Sequence, residues 1–153
     1  MLRTRTREYR YYILEHNSRE KVTGWKKSKG KLPLPLNIYC LLMDAIEEYF
    51  QEFDLLTVPA PSFHTYDNYP IWEIAKRVAK DCGIRLEKLF PDHSGKKRMG
   101  WLSSIDKKVQ EIELDPGLFV LVLDDVFTTG YTFRVTCEAI LNRGSYPCCL
   151  ALC

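Results

Sequence analysis

The chain has 153 residues, with apolar and charged shares of 46% and 27%, which describes one folded globular domain rather than a disordered or low-complexity chain. A net charge of +2 argues against a generic polyanion binder. No apolar run is long enough for a bilayer span, and the basic start does not lead into the apolar region of a signal peptide, so no membrane partner and a cytoplasmic setting are expected.

Residues 1–36 are basic and irregular. Tyr9, Tyr11 and Ile13 alternate with Arg10, Tyr12 and Leu14, which predicts an early strand. His16, Asn17 and Ser18 suit a turn, and residues 22–25 are expected to return as the second strand of a hairpin. Residues 26–31 (KKSKGK) then form a basic loop, and residues 32–35 (LPLP) an extended connector. Basic residues interleaved with Tyr and Trp leave nucleic acid open as a partner of this hairpin, beside the plainer reading of a solvated accessory element.

Asn37 is expected to cap a helix running to about residue 53, because Ile38, Leu41, Leu42, Ala45, Ile46, Tyr49 and Phe53 fall on one face. Residues 55–58 read as a short buried strand, broken by Pro59, Ala60 and Pro61. A polar-aromatic loop follows, and a helix starts near Pro70 with Ile71, Ile74, Ala75, Val78, Ala79 and Cys82 inward and Gly83 ending it. Residues 84–90 alternate like another strand, and residues 91–100 form a strongly basic loop. Ser103 or Ser104 is expected to cap a short helix carrying Ile105, Val109 and Ile112, before a turn at Asp115, Pro116 and Gly117.

Residues 118–123 are six consecutive apolar residues, which suits a central parallel strand covered on both faces. Asp124 and Asp125 follow. Burying both is costly, so they are expected where the strand emerges at its carboxyl end. Thr128, Thr129, Gly130 and Thr132 then offer hydroxyls and a permissive backbone at a helix start, where free N–H groups favour an anion. Residues 133–143 read as that helix, ended by Gly144, and residues 148–153 as a last strand. The six cysteines form no CxxC pair and mostly fall on apolar faces, so they are expected as reduced, buried thiols and not a zinc framework. The order of elements predicts an α/β fold with a doubly wound, mostly parallel sheet, whose ligands bind beyond the carboxyl ends of the strands.

The run VLVLDDVFTTGYT, residues 120–132, resembles the phosphoribosyl pyrophosphate motif of type I phosphoribosyltransferases: apolar strand, acidic pair, short spacer, Thr-Thr-Gly loop. Val58, Pro59, Ala60 and Pro61 resemble the Val-Pro-x-Pro strand end of the ComF-like branch, and the likeness covers residues 54–153. It implies a Rossmann-like type I phosphoribosyltransferase fold in a single domain, with residues 37–153 as the core and residues 1–36 as an accessory hairpin and connector. It further implies that Asp124, Asp125, Thr128, Thr129, Gly130, Tyr131 and Thr132 hold the ribose 5-phosphate, and that Ala60, Pro61, Ser62 and His64 hold the pyrophosphate. Lys96, Lys97 and Arg98 would join the two aspartates as catalytic residues by neutralising the leaving group from a closing loop.

The implied cofactor is magnesium, held mainly by the ligand, with Asp124 and Asp125 as its candidate protein contacts. Phosphoribosyl pyrophosphate and an unread nitrogenous base or amine are the implied substrates, and a homodimer is left open. One departure stands out: residues 62–70 contain neither Arg nor Lys, which ComF-like proteins place soon after the prolines. Two functions therefore remain in view. One is phosphoribosyl transfer; the other is a non-catalytic regulator or DNA-associated protein that binds phosphoribosyl pyrophosphate or a nucleotide.

Overall fold

Val120, Leu121, Val122 and Leu123 are each no more than 1% exposed, so the strand that contains them, β5 (Phe119–Asp124), has both faces covered. Around it the computed structural model describes residues 9–14, 17–59, 66–90, 112–128 and 130–153, and the backbone alone of 2–6. The elements in chain order are β1 (Leu2–Thr6), β2 (Arg10–Leu14), α1 (Arg19–Lys27), α2 (Leu36–Tyr49), β3 (Leu55–Thr57), a 3-10 turn (Tyr66–Asn68), α3 (Pro70–Cys82), β4 (Arg85–Leu86), β5, α4 (Tyr131–Asn142) and β6 (Tyr146–Ala151). The sheet runs β1-β2-β6-β5-β3-β4; the five strands from β2 to β4 are parallel and β1 is an antiparallel edge. This is an α/β arrangement compatible with a Rossmann-like fold.

Side chains alternate between two cores, as the pleat requires. Leu14, Leu56, Leu121, Leu123, Leu150 and Leu152 share one core with Val22, Trp25, Ile38, Leu42, Ile71 and Val78 from α1, α2 and α3. Leu55, Val120, Val122, Cys149 and Ala151 share the other with Phe133, Cys137 and Ile140 from α4. Each fully buried aliphatic side chain contributes about 1.5–3 kcal/mol. The split follows from connection geometry. β3 leads through α3 to the strand on its outer side, whereas β5 leads through α4 to β6 on the opposite side. Right-handed crossovers taken in opposite directions lay their helices on opposite faces. The connections therefore diverge between β3 and β5, and a crevice opens at the carboxyl ends of those strands.

The N-terminal region departs from expectation. Residues 22–25 are not a strand: Val22 and Trp25 lie one turn apart in α1 and are buried. Spacing of three residues satisfies a helix face, and the alternation needed for a half-buried strand is absent over so short a run. The hairpin partner of β2 is instead β1, which pairs Leu2 with Leu14 and Thr6 with Arg10. Nor is the segment an appendage to the core. β2 pairs with β6 in the main sheet, from Arg10 beside Cys148 to Ile13 beside Ala151.

The remaining elements differ mainly at their ends. α2 begins at Leu36 after Pro35 rather than after an Asn37 cap, and it stops at Tyr49. β4 is only two residues long, and β6 starts earlier than its cysteines, at Tyr146. Gly83 ends α3 in the left-handed conformation, as expected. Cys137 and Cys149 are buried, but Cys40 is exposed; all six cysteines are free thiols. The helix expected after Ser103 and Ser104 lies outside the described residues, although Ile112 is buried against the α4 core. Among the described residues no helix is long and apolar enough to cross a membrane.

Trp25 is 4% exposed, so its truncation tests whether α1 belongs to the core. Trp25→Ala is expected to lower the free energy of unfolding by about 3–5 kcal/mol in urea titrations. A loss under about 1 kcal/mol would mean that α1 is peripheral.

Candidate functional site

Asp124 closes β5 and Asp125 is the first residue beyond it, so both carboxylates stand at the carboxyl end of the sheet, as their position in sequence required. They are nevertheless buried, Asp124 to 7% exposure and Asp125 to 2%. The tail of β6 accounts for this: Leu152 N–H donates to the Asp124 carbonyl, Cys153 N–H donates to the Asp125 carbonyl, and Phe127 N–H donates to the Cys153 carbonyl at 2.7 Å. Val126 packs into the α1–α3 core and Phe127 into the α4 core, so the two-residue spacer pins the loop to both sides of the sheet.

Phe127 also stacks on Tyr11 at 4.8 Å and leans on Phe133 at 6.1 Å. Its ring fixes the choice at position 130. Gly130 has φ +77°, and a Cβ there would meet the Phe127 ring at 2.9 Å. Only glycine lets the chain turn from the acidic pair into α4 at this distance.

The carboxylates are not equivalent. Asp124 Oδ1 accepts the Asp125 N–H at 2.8 Å, and burial, followed by the charge of Asp125, pushes its pKa well above the ordinary range. Asp125 Oδ1 accepts the Val126 N–H at 2.6 Å and pairs with Lys26 Nζ at 3.0 Å. Its other oxygen, Oδ2, is buried with no hydrogen-bond partner among the described residues. An unsatisfied buried carboxylate oxygen costs about 1–3 kcal/mol or more, so it marks a position where a donor or cation is wanted.

These groups line a cleft of about 560 Å³ together with Thr128 and Thr132 from the α4 entry, Tyr69 and Pro70 from the α3 entry, and Arg19, Thr23, Lys26, Lys27 and Lys29 from α1 and the turn after it. Burial, and then the charges of Asp124 and Asp125, push the Tyr69 hydroxyl well up, which keeps it a donor. α4 has no side-chain cap, and its first-turn N–H groups carry the positive end of the helix dipole. The cleft therefore joins hydrogen-bond acceptors to walls that carry basic side chains and the positive end of a helix dipole.

Of the residues expected in the site, Asp124, Asp125, Thr128 and Thr132 come together here. Gly130 shapes the turn, and Tyr131 starts α4 with the Arg134 guanidinium 5.3 Å from its ring centroid. Ala60, Pro61, Ser62, His64, Lys96, Lys97, Arg98 and Thr129 lie outside the described residues. Tyr69 and the basic residues of α1 were missed by sequence reasoning. Arg19, Thr23, Lys26 and Lys27 fall at i, i+4, i+7 and i+8, a stripe visible only when the segment is read as a helix. Read as a basic loop after a hairpin, the same lysines leave a nucleic-acid surface open; here Lys26 pairs with Asp125, and Lys27 and Lys29 line the cleft that holds the carboxylates. Among the described residues no three His, Cys, Asp or Glu side chains cluster as a metal site. No known family model matches the chain, and no curated protein matches it significantly.

Two outcomes are expected. Between the ordinary carboxylate pKa of about 4 and the raised value of Asp124, the folded chain keeps a proton that the unfolded chain has lost, so stability falls as pH rises through that window. Asp124→Asn should flatten this slope in thermal melts across that range; an unchanged slope would mean that Asp124 titrates normally. Gly130→Ala should destabilise the chain by about 1–3 kcal/mol, measured by denaturant unfolding, through strain at a left-handed position.

Proposed function

We propose that this protein binds phosphoribosyl pyrophosphate with magnesium and transfers the phosphoribosyl group to a nitrogenous base or amine, on a variant of the type I phosphoribosyltransferase fold. The observation that carries the reading is the Asp125 Oδ2, unpartnered among the described residues, beside Asp124 in a cleft walled by the uncapped start of α4. A sugar with neighbouring hydroxyls and a phosphate supplies what such a site lacks. Its hydroxyls donate to the carboxylates while its phosphate meets Thr128, Thr132 and the N–H groups that open α4.

In this mechanism the chain mainly orients and stabilises charge. Asp124 and Asp125 accept hydrogen bonds from the ribose hydroxyls, and the negative charge of Asp125 offsets positive charge developing on the ring as the anomeric C–O bond breaks. The bonding pair leaves with pyrophosphate. The acceptor nitrogen forms the new bond to the anomeric carbon and then releases its proton. No nucleophilic side chain is needed. Two adjacent carboxylates, one with a free oxygen, suit a magnesium ion that takes its other oxygens from ligand and water. Bound there, magnesium supplies neutralisation of the leaving group.

The acceptor panel should include purine and pyrimidine bases and simple amines. With phosphoribosyl pyrophosphate and magnesium, the protein is expected to release pyrophosphate in the presence of one of them. Asp124→Asn with Asp125→Asn should reduce that rate at least about a hundredfold while the fold persists by circular dichroism. Tight binding with no release across the panel would replace this reading with that of a non-catalytic phosphoribosyl pyrophosphate-binding regulator. Absence of binding would remove both.

A further inference from the structure

The carboxylates occupy the floor of the cleft and α4 forms one wall; α1 forms another. Arg19, Thr23, Lys26 and Lys27 make a continuous stripe along α1, and Lys29 extends it past the helix end. Only Lys26 is paired, with Asp125; Arg19, Lys27 and Lys29 have no carboxylate partner among the described residues. The cleft thus sets four cations against two carboxylates, which favours an anionic occupant. From Arg19 to Lys27 the stripe runs about 12 Å at roughly 1.5 Å per residue, longer than one phosphate needs.

Position in the fold explains how this wall arises. β2 is parallel to β6 and β5, so it ends at the ligand edge, and α1 begins after a four-residue connection. Val22 and Trp25 anchor the inner side of α1 in the core. Lys26, four residues beyond Val22, therefore points toward the sheet and reaches the buried Asp125. The stripe is held in register with the carboxylates by packing, not by a mobile loop.

We propose that α1 builds a second anion subsite, specific for a diphosphate group, which Arg19, Lys26, Lys27 and Lys29 bind opposite the phosphate site at α4. This rests on the phosphoribosyl pyrophosphate reading for the identity of the whole ligand. It also answers the chain's departure from the ComF-like pattern, because the cations missing from residues 62–70 are supplied by α1. A ligand bearing a single phosphate at one end and a diphosphate at the other then bridges the two walls, with its hydroxyls over Asp124 and Asp125.

Calorimetric titration of the full chain with magnesium and either inorganic pyrophosphate or ribose 5-phosphate tests each subsite separately. Lys27→Gln with Lys29→Gln is expected to weaken pyrophosphate about tenfold or more and to leave ribose 5-phosphate within about twofold. Lys21→Gln, on α1 but outside the cleft, should change neither. Lys26 is left intact because its loss also removes the counter-charge of Asp125. Pyrophosphate binding that is undetectable, that survives the double substitution, or that falls equally with Lys21→Gln overturns the α1 subsite. Pyrophosphate binding that depends on Lys27 and Lys29, with no binding of ribose 5-phosphate or phosphoribosyl pyrophosphate, upholds the subsite and overturns the reading of the whole ligand.

Discussion

Two adjacent carboxylates at the end of a strand buried on both faces impose the main constraint on this molecule. Water is largely withdrawn from Asp124 and Asp125, so their charge must be met by protein, by protons or by a ligand. The fold supplies part of each remedy. Backbone N–H groups meet one oxygen of each carboxyl, Lys26 meets Asp125, and burial together with the neighbouring charge favours a proton on Asp124. Among the described residues, one oxygen of Asp125 is left over. A structure that only needed stability would have placed apolar residues here, since removing a buried ionic arrangement in favour of well-packed apolar groups is often neutral or stabilising.

That constraint reaches into the surrounding chain. The tail of β6 must follow the loop after β5 closely enough to bond its backbone, and Val126 and Phe127 must fill opposite cores. Phe127 then leaves no room for a side chain at position 130, where the chain turns into α4. Acidic pair, apolar spacer and glycine turn are therefore one mechanical unit. Its stiffness suits the phosphate site proposed at the α4 entry, because preorganised N–H groups lose little freedom when an anion arrives.

A second hollow, of about 740 Å³, lies at the opposite, amino end of β5 and β6 and is lined by Tyr49, Phe53, Phe119 and Tyr146. Phe119 and Tyr146 are exposed there and stack at 5.4 Å. Its size does not make it the better candidate for chemistry. In a parallel sheet the backbone connections that diverge to opposite faces open the crevice at the carboxyl ends, and the unsatisfied carboxylate oxygen is at that end as well.

By itself the sequence determined the features that depend on neighbours along the chain. The apolar run of β5, the Pro70 start and Gly83 stop of α3, the amphipathic face of α2 and the order of acidic pair, spacer and glycine turn all follow from local pattern. Periodicity and turn chemistry act over a few residues, so these elements were legible. The segment at residues 19–27 was less so: it is too short and too polar for its period to decide between helix and strand, and Val22 and Trp25 show their helical spacing only against the core they fill. Only the tertiary structure decided that β2 joins β6, that α1 consequently lies at the carboxyl edge, and that Lys26 meets Asp125 across 99 positions of sequence. The reason is physical. Pairing of strands and burial of carboxylates are set by the global packing of two cores, and no local pattern encodes which distant cation will stand beside a given charge.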